Sequence, residues 1–244
     1  MLFCAALCFA CGQGVPILMY HSVSGNGDPL TVTPEELDAQ LDYLQSAGFS
    51  TVTLHEVLDA DDGKASLPRH PVVLTFDDGY ADAATEVLPR LVARGQRATF
   101  FIISGHCTWD PATRFAQGRY RFMTWAEVRG LQAAGMEIGS HTVSHRRLTA
   151  LHRAEMRAEI EQSRAALQNV LARPVELFAY PYNDQRQSVR LAVEKAGYRG
   201  AVVGAQGNTD RFTLRRLTMH RGISPQELRS MLGETWESAY TGGG

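Results

Sequence analysis

Val72-Val73-Leu74-Thr75-Phe76-Asp77-Asp78-Gly79 is the stretch on which the fold turns. Apolar residues run with almost no alternation, as in a strand covered on both faces, and two carboxylates and a glycine end the run. Similar short runs recur outward from it, at Pro16–Tyr20, Ser50–Leu54, Ala98–Ile103, Met136–Gly139, Val175–Ala179 and Gly200–Val203. Leu214–Met219 is a further candidate. Helices with clear punctuation lie between them. Thr33-Pro34-Glu35-Glu36 offers an N-cap, a Pro at the first helical position and a Glu at the third; Leu37, Leu41 and Leu44 then share a face, and Gly48 ends the helix. Thr124-Trp125-Ala126-Glu127 and Ser224-Pro225-Gln226-Glu227 open two more, and Gly95, Gly135 and Gly197 close others. Strand and helix in alternation predict an α/β protein, and seven or eight such units predict a closed or nearly closed barrel rather than an open sheet.

The chain has 244 residues, enough for one large domain, with 24 Lys+Arg against 26 Asp+Glu. Without a basic stripe, nucleic acid is excluded as the main partner. With 44% hydrophobic and 20% charged residues the chain can bury a core and stay soluble. Cys4, Cys8 and Cys11 crowd the N-terminus and Cys107 stands alone, so no paired CxxC motifs build a thiolate zinc site. Met1–Cys11 is wholly apolar and too short to span a bilayer as a helix. Residues 1–13 therefore read as a leader-like segment and 14–244 as the domain, which predicts an extracytoplasmic protein, with Cys11 a candidate lipid anchor. If the segment is instead an N-terminal extension, the protein is cytoplasmic.

A parallel barrel carries its active site on the loops after its strands. Here those loops hold the unusual polar residues: His21 after the first run, Asp77-Asp78, then Ser140-His141-Thr142-Val143-Ser144-His145, then Tyr180-Pro181-Tyr182. The spacing of His141 and His145 predicts two imidazoles on one side of a helical turn. Together with a carboxylate they form a site that leaves coordination positions open. Neighbouring carboxylates at 77 and 78 repel, and a cation relieves the repulsion. If one binds the ion, the other is free to act as a base. Asp-Asp-Gly is also good turn chemistry, which is compatible with that use. Ser104–Phe122, with His106, Trp109 and Arg114, is a long connection, read either as a functional loop or as a solvated excursion.

Thr75-Phe76-Asp77-Asp78-Gly79-Tyr80 and Ser140–His145 resemble the first two signature motifs of the polysaccharide deacetylase family, carbohydrate esterase family four. The resemblance extends over roughly Val15 to Leu232 and implies a distorted (β/α)7-8 barrel in a single domain. By position it implies that Asp77 is the catalytic base and that Asp78, His141 and His145 bind a divalent metal, usually zinc. The implied reaction is hydrolysis of N-acetyl groups from an N-acetylglucosamine polysaccharide, releasing acetate. Acetyl-ester or small cyclic amide hydrolysis, or an inactive carbohydrate-binding module, are the alternatives. Two departures stand out: Ala179 occupies the place of the third motif's Arg, with Asn183 where a Gly is usual, and the Asp-Trp motif near the C-terminus is missing. Both resemble the branch of exported poly-N-acetylglucosamine deacetylases, in which the element bearing the catalytic acid comes first. Leu18-Met19-Tyr20-His21 matches that element and makes His21 the candidate acid, against His220 in Leu217-Thr218-Met219-His220. The resemblance also assigns the oxyanion contact to the backbone of Tyr182, with Tyr180 and Pro181 in the same motif. Arg215 or Arg216 is left as a candidate partner for Asp77.

Overall fold

In the computed structural model, residues 14–240 are described; the leader-like segment 1–13 and its Cys11 lie outside the described residues. Among the described residues, ten strands and seven α-helices follow one another. The strands are β1 (Ile17–Tyr20), β2 (Ser50–Val52), β3 (Pro71–Phe76), β4 (Thr99–Ile102), β5 (Ala116–Gln117), β6 (Tyr120–Arg121), β7 (Glu137–Ser140), β8 (Leu177–Ala179), β9 (Gly200–Val202) and β10 (Leu217–Thr218). The helices are α1 (Pro34–Ser46), α2 (Leu54–Asp61), α3 (Leu88–Ala93), α4 (Trp125–Ala133), α5 (Arg153–Leu171), α6 (Gln187–Lys195) and α7 (Pro225–Tyr240).

Eight strands form one parallel sheet in the order β10-β1-β3-β4-β7-β8-β9, with β2 against the first half of β3. Leu214, just before β10, bridges to Val202 of β9, so a single segment of chain approaches both ends of the sheet. The curled parallel sheet with its helices is a distorted (β/α) barrel, as the alternation predicts. β1, β3 and β4 are buried along their whole length, which explains why their sequences do not alternate. Register then sets the site: Tyr20 lies opposite Phe76, Phe76 opposite Phe100, and Ile102 opposite Ser140. His21, Asp77 and His141, each the next residue, therefore leave the sheet at the same end.

The core has two parts. The larger packs the outer face of the sheet, including Leu18, Tyr20, Leu74 and Phe76, against the helices. The smaller joins the alternate positions Ile17, Val73, Phe101, Leu177, Ala179 and Val202 to Leu54, Val57 and Leu58 of α2. The capping boxes at Thr33 and Thr124 form as predicted. The run Ser50–Leu54 is a correction: the strand stops at Val52. Thr53 and Glu56 form a third capping box, and Leu54 becomes the first residue of α2. The long connection 104–122 folds as two single 3₁₀ turns and the antiparallel hairpin β5–β6.

Gly139 of β7 faces Phe101 of β4, and a Cβ there would come within 2.5 Å of two ring carbons and 3.2 Å of the Leu177 carbonyl. Gly139→Ala is expected to destabilise the fold by about 1–3 kcal/mol through overpacking. Urea unfolding measures this, and an unchanged midpoint contradicts the packing described.

Candidate active site

Asp78, His141 and His145 meet at the end of the sheet where β3 and β7 terminate. Asp78 Oδ1 lies 3.3 Å from His141 Nε2 and 3.4 Å from His145 Nε2, and the two imidazole nitrogens are 3.2 Å apart. These are the only three residues, among those described, whose His, Cys, Asp or Glu donor atoms converge in this way. His141 Nδ1 donates to the Ala179 carbonyl at 2.8 Å, so in the neutral ring the Nε2 lone pair is directed at Asp78. Asp78 Oδ1, although buried, accepts no hydrogen bond. Lone pairs at this separation repel unless a cation lies between them. Ligand bonds of roughly 2.0–2.1 Å in a tetrahedral site place donor atoms about 3.3–3.4 Å apart, so the triangle fits a divalent ion.

The electrostatics agree. Burial alone would raise the Asp78 carboxyl, but His141, His21 and His145 outweigh it and hold it well below the usual carboxylate range. Burial opposes a charge on His141, yet Asp78 and Asp77 together raise its pKa above the ordinary imidazole value. Burial, with His141 beside it, pushes His145 down to about 4. The three groups together favour one positive charge in their midst.

The two histidines do not reach each other through a helical turn, as their spacing predicts. Residues 141–147 form an irregular loop in which Thr142 and His145 both have left-handed backbone, at φ 69° and 58°. Glu159 of α5 holds this loop: its carboxylate accepts from the amides of Val143 and Ser144, each at 2.9 Å, and from the Ser144 hydroxyl at 2.5 Å. Ser104 and Gly105 back it from the other side, their amides donating to the carbonyls of Thr142 and Val143. The sequence gives no sign of Glu159 beyond its place on the inward face of α5.

Asp77 is buried and faces Arg216, whose guanidinium donates to both carboxylate oxygens at 2.7 Å. Arg216 is fully buried; it also donates to the Val203 carbonyl and the Thr75 hydroxyl. Burial by itself raises the Asp77 pKa, but Arg216 first and then His141 outweigh it and lower it. Arg216, not the exposed Arg215, is thus the partner of Asp77.

A cavity of about 350 Å³ opens over the site, and His21, Asp77, Asp78, His141, His145, Tyr180 and Tyr182 line it. Larger cavities, of about 420 and 500 Å³, lie elsewhere and contain no converging donor set. His220 is outside the site, exposed, with Nδ1 turned to the Arg221 carbonyl. Pro181 is buried in its turn and is not part of the cavity wall. Tyr182 has left-handed backbone, φ 58°, and the bonds of its turn run from Asn183 to Tyr180 and from Asp184 to Pro181. The Tyr182 amide takes no part in them. One wall of the cavity continues into the hairpin connection: Tyr80 stacks on Tyr120 and meets Phe122, and His106 lies between Phe122 and Phe115.

A family profile described as polysaccharide deacetylase matches residues 64–201, more than half of the chain. The match contains Asp77, Asp78, His141 and His145, and excludes His21 and Arg216. YxkH of Bacillus subtilis (strain 168) is 29% identical over 216 residues, covering 86% of this chain and 73% of that protein. The poly-beta-1,6-N-acetyl-D-glucosamine N-deacetylase of Escherichia coli (strain K12) is 31% identical over 142 residues, which are 53% of this chain and 21% of that protein. In fold, the chain is similar to the Streptococcus pyogenes deacetylase PplD, with a TM-score of 0.80 at 23% identity, covering 90% of this chain and 98% of that one.

Arg216→Met removes the bidentate cation that compensates the buried Asp77 carboxylate, and is expected to cost about 3–5 kcal/mol at pH 7. Because the Asp77 pKa is lowered in the folded state, that stabilisation is complete above the unfolded value of about 3.9 and fades as pH falls through the folded value. Denaturant unfolding of both proteins from pH 7 to pH 3 should show the gap between them closing in acid. A gap absent at pH 7 contradicts the pairing.

Proposed function

The chain belongs to the polysaccharide deacetylase family, and on that premise we propose that it is a metal-dependent hydrolase removing N-acetyl groups from an N-acetylglucosamine polymer. The observation that carries this reading is the triangle of Asp78, His141 and His145 donor atoms, with the ionised Asp77 beside it. Two nitrogens and one oxygen with coordination positions left open suit a catalytic zinc ion. The polymer is supported by the likeness to the Escherichia coli enzyme and by the rings that run from Tyr80 to the exposed Phe115. Such rings stack on the apolar faces of sugars.

In this mechanism Asp78, His141 and His145 would hold the ion. A divalent cation, when bound, supplies Lewis acidity and lowers the pKa of the water it holds to roughly 7. Asp77, kept ionised by Arg216, takes a proton from the attacking water. The Tyr182 amide, free of its own turn, donates to the oxygen on which negative charge develops. His21, on the neighbouring strand end, donates a proton to the departing sugar amine. The products are acetate and a free amino sugar.

Asp78→Ala and His141→Ala should each lose bound metal and acetate release from N-acetylglucosamine oligomers, and a chelator should abolish release until Zn2+ is restored. Asp77→Asn should keep the metal and lose roughly 10²-fold or more in kcat. Metal analysis with an acetate assay reads both, and an Asp77→Asn protein of normal turnover refutes the base. His21→Ala should slow amide cleavage far more than cleavage of an activated acetyl ester, whose leaving group needs little protonation. Equal losses on the two substrates would remove His21 from the acid role.

A further inference from the structure

A general acid must hold its ring in one direction, yet among the described residues no group hydrogen-bonds the His21 ring at Nδ1, which is buried. Without a hydrogen bond at that nitrogen, the direction of the ring depends on the backbone that carries it. His21 leaves the end of β1, and the next two residues are tied to the segment that follows Asp77-Asp78-Gly79. The buried Ser22 donates its hydroxyl to Asp82 Oδ2 at 2.6 Å, and the Val23 amide is directed at the same carboxyl. A hydroxyl-to-carboxylate bond of this length is about twice as strong as a neutral one. Asp82 Oδ1 is buried without a hydrogen-bond partner, so the carboxylate makes its side-chain contact on the Ser22 side alone. A carboxylate kept in this setting costs desolvation that packing alone does not require.

Resting on the acid role given to His21, we propose that Asp82 is a positioning residue: through Ser22 it ties the His21 loop to the Asp77-Asp78 loop and so aims the imidazole at the leaving amine. Asp82 is not among the residues that line the cavity. The hydrogen bond spans 60 residues of sequence and joins the ends of two adjacent strands, β1 and β3, which carry the acid and the base. A shift of the His21 loop changes the separation of those two groups, while Asp78 stays on its own loop and the histidine ligands stay anchored by Ala179 and Glu159.

The test compares Asp82→Ala, Ser22→Ala, the double variant and His21→Ala on an N-acetylglucosamine oligomer and on 4-nitrophenyl acetate, with bound metal measured in each. Asp82→Ala and Ser22→Ala should each lower kcat on the amide by roughly tenfold or more, part of the roughly 10²–10⁴-fold a general acid supplies, and change ester cleavage by no more than about threefold. Metal content should be unchanged, and the double variant should be no slower than the slower single, because both remove one contact. Asp82→Asn, which keeps an acceptor oxygen for Ser22, should recover most of the amide activity. Equal losses on the two substrates, additive losses in the double variant, or loss of metal overturn the proposal. If His21→Ala separates the substrates and the other variants do not, the positioning role alone fails; if His21→Ala does not separate them, the acid role fails and this proposal with it.

Discussion

Three electron-pair donors held within 3.4 Å of one another are the constraint around which this molecule is arranged. Left to themselves, two imidazole nitrogens and a carboxylate oxygen move apart. Here they are kept together by backbone that few non-glycine residues adopt: Asp78, Thr142 and His145 are all left-handed, at φ 73°, 69° and 58°. Each such residue costs on the order of 1–3 kcal/mol, and persists only where its surroundings leave no alternative. Glu159, the Ala179 carbonyl and the Ser104 turn are those surroundings. A ligand that binds only the folded arrangement offsets the cost by mass action.

Charge balance imposes the second condition. Asp77 and Asp78 are consecutive, buried and both held in the ionised form. Two such carboxylates persist because each faces a different positive partner: Asp77 the guanidinium of Arg216, Asp78 the imidazoles. Arg216 reaches Asp77 from the inner side of the sheet, beside Thr75, and so the base is fixed in direction as well as in charge. Ala179 offers Asp77 no charged side chain, and its backbone oxygen serves His141. The cation beside Asp77 is Arg216, in the segment just before β10.

Much of this could be read from the residues. The strands follow from uninterrupted apolar runs, and the helices from Thr-x-x-Glu and Ser-x-x-Glu openings closed by glycine. The error at Ser50–Leu54 has a local cause: an apolar Leu54 resembles the end of a strand, whereas Thr53 and Glu56, one residue to either side of the next turn, mark a helix start. Asp77, Asp78, His141 and His145 were visible as polar residues at strand ends. Their convergence follows from those strand ends; only the helical turn predicted between His141 and His145 is absent, the loop between them being irregular. Arg216 stayed ambiguous with Arg215 because its partner is 139 residues away. A signal existed: with a period of two, Arg216 shares a face with Leu214, which belongs to the inner core, and Arg215 does not. Glu159 and Asp82 left no such trace, because each acts on a loop whose path is fixed only in three dimensions.

The central claim is that one divalent ion is bound by Asp78, His141 and His145. Anomalous diffraction recorded at the absorption edge of the metal that copurifies with the protein tests it most directly. The account predicts a single peak about 2.0–2.2 Å from Asp78 Oδ1 and from both Nε2 atoms. A protein that binds no metal, or a peak centred on other residues while this triangle remains empty, would contradict it.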